Sequence, residues 1–518
     1  MMILNKLKDM KKTLSIYISG ILLLIISACT NDFEKINSDP NSVNKPNPNF
    51  IFSRSQLEGL NNNYLFTAIL QCGQMMQHYS SYKEASGVGD KYLDNEVYYS
   101  TYFSQAYPNS INQITIVINT LKDNPNDSNK LNIARIWRAY LYHRLTDLYG
   151  DVPYSEASKG STENLFLPKY DSQEFIYKDL LKELDEAALA LDASKPSFDK
   201  ADLIYNGDIE KWKKFSYSLM LRLGMRLTKV DPALSKNWVN KAITGGVILN
   251  TADNAIMKYT DGPNDFNRNP SAFDPIRLDY SRGSYGQTNN EGGKLSKTFI
   301  DVLKSTNDPR ISIYAGVWQG RVQNTNPEVQ KGFPNGLKTA PSPIEQATYS
   351  EPNQNTVLRV DSPLIVLSNT ETNLYLAEAA LRGWYTGESD KSLYEKAVKA
   401  SFLNAGIYGV SYSITDTTPY LTENPYTSGG TFDQKMNQIH TQFWIALFVD
   451  EQEVYSNWRR TGYPVLTPIN FPGNVTNGTI PRRIKYPTSE YSVNSANLAE
   501  AIKRQGNDSF LTKTWWDK

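Results

Sequence analysis

Imidazoles are the first groups to test for chemistry, because a histidine can ligate a metal or act as a general base near neutral pH. His78, His143 and His440 are each read as alone within their windows, with none at i, i+4 from another ligand type. No zinc-type site is expected from them. A Gly-rich phosphate loop, a GxSxG elbow and an HExxH helix are missing from the sequence, so nucleotide, serine-hydrolase and zinc-protease chemistry lack their usual motifs. Glycoside hydrolysis would need only two carboxylates brought together by folding. Among 54 Asp and Glu residues no such pair is singled out by its neighbours, and a surface glycosidase stays a minor alternative. Asp123 and Asp127 offer oxygen ligands without EF-hand spacing, so a solvated interhelical loop is expected there. The expectation is a chain with no catalytic residue, no metal and no cofactor.

Two arginine pairs and an aromatic excess remain. Arg459 and Arg460 in NWRRTGYP fall in the last turn of a predicted helix stopped by Gly462 and Pro464, where positive charge faces the carbonyl end of the helix dipole. Arg482 and Arg483 in IPRRIKYP lie in an extended stretch and are expected to pair with carboxylates inside a scaffold. Tyr, Trp and Phe number 33, 9 and 19 and make up 12% of the chain. A ring with an apolar face and a polar tip suits a wet surface that stacks on a sugar or peptide. Most rings are expected in packing contacts. The binding candidates are those in loop-rich windows beside hydrogen-bonding residues: Tyr82 and Tyr92 in HYSSYKEASGVGDKY, Tyr280, Arg282 and Tyr285 in LDYSRGSYGQ, and Trp318 in YAGVWQGR. Recognition of a sugar needs a flat apolar face and fixed donors and acceptors, which these windows combine.

The N-terminus carries a different chemistry. Lys6, Lys8, Lys11 and Lys12 precede an apolar run over residues 14–26, and Ser27 and Ala28 lead into Cys29. This is the pattern of a secretory signal, and the run is short of the ~20 residues that a membrane-spanning helix needs. Ile26-Ser27-Ala28-Cys29 resembles the bacterial lipobox, in which the cysteine thiol is acylated and the signal is cut before it. Residues 1–28 are therefore read as a lipoprotein signal peptide and Cys29 as the lipidated first residue of a body over 29–518. Each buried methylene adds ~0.8 kcal/mol, so three acyl chains would hold such a protein on a membrane. Phe33 and Ile36 give the next segment apolar groups to bury, and it is expected to dock on the body. Cys72 is the one thiol left, unable to make an internal disulfide and expected as a small buried hydrophobe.

The elements that must position these groups are mostly helical. At 518 residues, with 40% hydrophobic and 21% charged residues, the chain is a folded body of two domains or one extended repeat. Lys plus Arg and Asp plus Glu both total 54, so no global field favours nucleic acid or an anionic membrane surface. In DSQEFIYKDLLKELDEAALALD, Phe175, Ile176, Leu180, Leu184, Ala187, Ala188 and Leu191 recur at helical steps, and Asp171 with Glu174 has capping-box spacing. Similar periodicity marks LNIARIWRAYLYHRLTDLYG, DIEKWKKFSYSLMLRLGMRLTKV, LYLAEAALRGW with SLYEKAVKASFLNAG, and FDQKMNQIHTQFWIALFVDEQEVYSNWRR. The pair over residues 374–406, with Ala377, Ala380, Ala397 and Ala400 at contacts, has the look of a degenerate tetratricopeptide hairpin. From about 259 to 361 the texture turns to Gly, Asn, Pro and Ser, the composition of long functional loops.

Several strings taken together resemble one family. They are FEKINSDPN after Cys29, LYGDVPYSEA at 148–157, NDPRISIYA at 307–315, NLYLAEAALRGW at 373–384, WRRTGYPVL at 458–466, IPRRIKYPTSE at 480–490 and the terminal KTWWDK. The chain is similar along its length to the SusD/RagB-like nutrient-binding outer-membrane lipoproteins of Bacteroidetes-type bacteria. The resemblance implies a mainly α body, in which tetratricopeptide-like helical pairs support a large loop-rich, ligand-facing half. It also implies a lipid-anchored protein on the cell exterior that captures glycans, or in some members peptides, and passes them to a SusC-like TonB-dependent transporter. A structural lid without its own ligand site is a further alternative. The matching strings belong to the scaffold, so no binding residue is carried over.

Overall fold

Polar caps set into apolar periodicity turn most of these windows into helices in the computed structural model, which describes residues 47–61, 64–272, 284–288 and 293–518. Cys29, Phe33 and Ile36 lie outside the described residues. The longer helices are α1 (Pro48–Asn61), α2 (Glu96–Ala106), α3 (Asn112–Leu121), α4 (Ser128–Tyr149), α5 (Gln173–Ala190), α6 (Ile209–Arg226), α7 (Pro232–Gly245), α8 (Lys297–Ser305), α9 (Asn369–Leu381), α10 (Asp390–Asn404), α11 (Phe432–Ala446), α12 (Glu451–Thr461) and α13 (Ser495–Gln505). The fold is mainly α. None of these helices is long and apolar enough to cross a membrane.

Side-chain caps start the helices: Asp208 for α6, Asp231 for α7, Ser368 for α9, Ser389 for α10, and a Thr431/Gln434 capping box for α11. Each accepts from an otherwise unpartnered backbone N–H of the first turn. For α5 the cap is Ser172, not Asp171, which instead accepts from the backbone and hydroxyl of Ser155. The α5 stripe is buried from Ile176 to Leu191, but Phe175 is exposed and lies edge-on to Tyr154. The single window expected over 432–460 is broken into α11 and α12. Its connection holds Val449 at φ +90°, an unusual value for a β-branched residue. Tertiary partners claim this connection: the Val449 carbonyl accepts from the Tyr64 hydroxyl, and Asp450 pairs with Arg144 at 2.9 Å.

Helices pack in consecutive pairs, α4 on α5, α6 on α7 and α9 on α10. Ala377 and Ala397 are fully buried in the last pair, where small side chains let the two backbones approach. Strands are two to five residues long: β1 (Tyr79–Ser80), β2 (Val152–Pro153), β3 (Tyr170–Asp171), β4 (Ala255–Met257), β5 (Lys294–Leu295), β6 (Ala315–Gln319), β7 (Val322–Asn324), β8 (Glu351–Pro352) and β9 (Leu364–Leu367). β6 lies between β7 and β8, antiparallel to both, and β1 pairs with β5. β5 to β8 belong to the loop-rich stretch, which they and α8 make into a defined support.

The interior of the helical frame is ionic as well as apolar. Arg460 grips Glu378 through two bonds of 2.7 and 2.6 Å, and Arg222 grips Glu371 at 2.6 and 2.7 Å. Arg226 bridges Glu453 at 2.6 Å and Asp147 at 3.3 Å. Arg459 donates to the Asp147 carbonyl at 2.6 Å and stacks 4.7 Å from Trp516. Arg482 and Arg483 bond Asp517 and Asp508, as expected for scaffold arginines. Arg459 and Arg460 do more than face the end of α12, since both are buried in this network. Asp127 pairs with Asn124 and Lys130 in the loop before α4, the solvated role expected of it.

Candidate functional site

Trp318 lies on β6, and its indole N–H donates to Oε2 of Glu351 on β8 at 2.8 Å. Oε1 of Glu351 is bonded by the ammonium of Lys294 on β5 at 2.5 Å, and that ammonium also donates to the Gly286 carbonyl at 2.7 Å. Three strands thus converge on one carboxylate. Because both of its oxygens are committed, Glu351 is an orienting group rather than a free base.

The same lysine positions the loop that carries Tyr285. Tyr285 lies edge-on to Trp318, with centroids 5.3 Å apart and planes at 73°, a favoured arrangement for two rings. Gly286 follows at φ +81°, and a Cβ there would stand 2.5 Å from Cδ1 of Trp318. Only glycine permits both the turn and the approach. The Arg321 guanidinium lies 5.9 Å from the Tyr285 ring centroid. Trp318 is 9% exposed and Tyr285 is half-buried, so the pair presents a ring on a rigid backing.

Of the six expected binding residues, Tyr285 and Trp318 come together. Tyr82 is half-buried in another loop. Tyr92 is corrected: it is 2% exposed, and its hydroxyl accepts from the Ile469 N–H at 3.2 Å. Burial pushes that hydroxyl's pKa up, and the ring has no free face to offer. Tyr280 and Arg282 lie outside the described residues. Lys294, Gly286 and Glu351 were missed by sequence reading, because nothing local links a lysine to a carboxylate 57 residues further on.

Among the described residues, metal chemistry has one place to be tested. His143 and Asp147 stand four residues apart on α4, a spacing the sequence reading passed over, and with Glu453 they bring ligand atoms within 4.8 Å of one another. Arg226 already bonds both carboxylates, and Arg222 stands 3.3 Å from His143. Two buried guanidiniums supply the cationic charge here and oppose a further cation. Burial, with Arg222 and Arg144 beside it, holds the His143 imidazole well below its usual range. His440 is also lowered, chiefly by burial, although Glu378 lies 3.0 Å away.

The helical-pair frame agrees with the comparisons. A family model described as starch-binding, associating with outer membrane, matches residues 40–487. The chain belongs to the SusD-like family. A solved chitin-binding protein is 31% identical and superposes with a TM-score of 0.78, covering 91% of this chain and 100% of its own. The Bacteroidetes AC2a SusD-like protein is 27% identical, with a TM-score of 0.79 and the same coverage. A chitin-binding SusD homolog from Flavobacterium johnsoniae is 28% identical, with a TM-score of 0.73 over 91% of this chain and 97% of its own. No curated protein sequence matches the chain. The family description and the two chitin-binding neighbours are all worded as binding.

Proposed function

We propose that this SusD-like chain is a surface lipoprotein that binds nutrient glycans at the Tyr285–Trp318 pair and passes them to a SusC-like TonB-dependent transporter. In this scheme residues 1–28 are removed, acylated Cys29 anchors the body over 29–518 in the outer membrane, and the loop-rich half faces the exterior. The observation that carries the glycan function is the aromatic pair held by Lys294 and Glu351. Family membership and the chitin-binding relatives support it. A ring on a rigid backing suits a sugar's apolar face.

Calorimetry with malto- and chito-oligosaccharides tests the site. The wild type is expected to bind one of the two series, and Trp318→Ala to lose at least roughly tenfold in affinity, the order seen when a stacking anchor is truncated. A Trp318→Ala protein that is folded by circular dichroism and binds as tightly as wild type would overturn the assignment. In cells, Cys29→Ala should leave the membrane fraction, and the anchored wild type should copurify with a TonB-dependent barrel.

A further inference from the structure

We propose that the open cavity of about 610 Å³ lined by Lys297, Lys304, Lys331 and Tyr349 is a subsite for an anionic substituent, a carboxylate or a sulfate ester, on the bound glycan. This deepens the function proposed above and rests on it. Charge is the first reason. Asp301 is the one carboxylate in the lining, and it is paired with Lys297 one helical turn away on α8. Among the described residues Lys304 donates to two carbonyls, those of Gln330 at 3.0 Å and Glu328 at 3.3 Å. The Lys331 ammonium stands 4.1 Å over the Tyr349 ring. Glu345 accepts from the Tyr349 hydroxyl at 3.3 Å and does not line the cavity. All three lysines are exposed at their residues, and Lys304 and Lys331 line the cavity with no carboxylate bonded to them among the described residues.

The second reason is that the backbone is built to hold them there. Gly332 lies so close to the start of α8 that a Cβ on it would stand 2.4 Å from Cα of Lys297. The Lys297 N–H donates to the Phe333 carbonyl at 2.7 Å. Lys331 is bonded through both main-chain groups to Ser350, its N–H to the hydroxyl at 3.0 Å and its carbonyl from the N–H at 2.8 Å. The third reason is position. Tyr349 is two residues from Glu351, the group that orients Trp318, and Lys297 is three from Lys294. Two residues of chain span at most about 7 Å, so the lysine cavity and the aromatic pair are neighbours on the same segments. In this proposal an oligosaccharide seated at the Tyr285–Trp318 pair carries its acidic group into the cavity, where Lys304 and Lys331 supply a charge-assisted bond.

The test is calorimetry on the soluble body with four probes of matched length: a neutral chito-oligosaccharide, an oligogalacturonate, a sulfated oligosaccharide and a poly-glutamate peptide. One acidic glycan is expected to bind roughly tenfold tighter than the neutral one at low salt, with the margin shrinking towards 0.5 M salt, where the screening length is only about 4–5 Å. The double variant Lys304→Gln/Lys331→Gln should lose that margin while its melting temperature is unchanged. Whichever acid shows the margin separates carboxylate from sulfate. Equal affinity for neutral and acidic glycans, or a margin that survives in the double variant, overturns the subsite and leaves the glycan-binding function standing. Peptide binding as tight as that of the acidic glycan overturns the glycan assignment of the subsite. If no glycan binds at all, the subsite and the proposed function fall together, and the neutral probe reports that outcome separately.

Discussion

Arg460 and Arg321 are the same residue type in opposite settings. Arg460, in the helical frame, is 1% exposed and bonds both oxygens of Glu378. Arg321, in the loop-rich half, is exposed and, among the described residues, lies over the Tyr285 ring. The contrast extends to their neighbours. In the frame Arg222, Arg226, Arg459 and Arg483 are buried against carboxylates and carbonyls. In the loops Lys304 and Lys331 spend their charge on carbonyls and a ring. A buried ion must be paired or its desolvation is uncompensated. An exposed one can stay unpaired at little cost and so remain free for a ligand.

The largest expected effect comes from breaking a frame pair. Arg460→Met leaves Glu378 buried with Arg382 and His440 as its remaining partners. Removing one member of such a pair costs about 3–5 kcal/mol, which urea unfolding would measure directly. A loss under about 1 kcal/mol would mean that the frame treats its ions as the surface does.

A second effect separates two carboxylates within the frame. Glu371 and Glu378 lie about two turns apart on α9. Burial raises the Glu378 carboxyl, but Arg460, Arg382 and His440 more than reverse this and hold it well below the usual range. Burial raises Glu371 to about 7, against Arg222 and with Glu453 and Asp450 adding to the rise. A carboxyl raised in the folded state binds its proton more tightly there than in the unfolded chain. Its contribution to stability is complete below the ordinary Glu value and is lost as pH rises through about 7. Relative to Glu371→Gln, the wild type should therefore lose stability from about pH 4.5 to about pH 7. Unfolding curves at several pH values whose difference stays flat would remove Glu371 from the titration.

The smallest effect is expected at the surface. Arg321→Ala removes a cation near Tyr285 and should weaken glycan binding roughly two- to fivefold, with no change in melting temperature. A tenfold loss would promote Arg321 to a direct ligand contact. No loss would confine recognition to the rings and their backing.

Legibility in the sequence followed the range of the interaction. The α5 stripe, the Ala-rich contact of α9 with α10 and the stop at Gly462 all depend on residues within a few positions, and all are present. The cap of α5 moved by one residue because Asp171 was drawn to Ser155, and the last long window broke where Tyr64 and Arg144 reach in. Both displacements come from partners distant in sequence. The arginine pair of α12 was legible as a helix terminus, but not as a network, because Glu378 lies 82 residues before Arg460.

The sequence by itself determined the mainly α frame, the loop-rich stretch and the family, because caps, periodicity and scaffold motifs are written in short strings. It also nominated Tyr285 and Trp318 among several aromatics. Only the tertiary structure decided that these two meet, that Tyr92 is spent inside, and that Lys294 and Glu351 back the pair. Ring exposure and charge pairing are set by whatever packs around a residue, and those neighbours arrive from far along the chain.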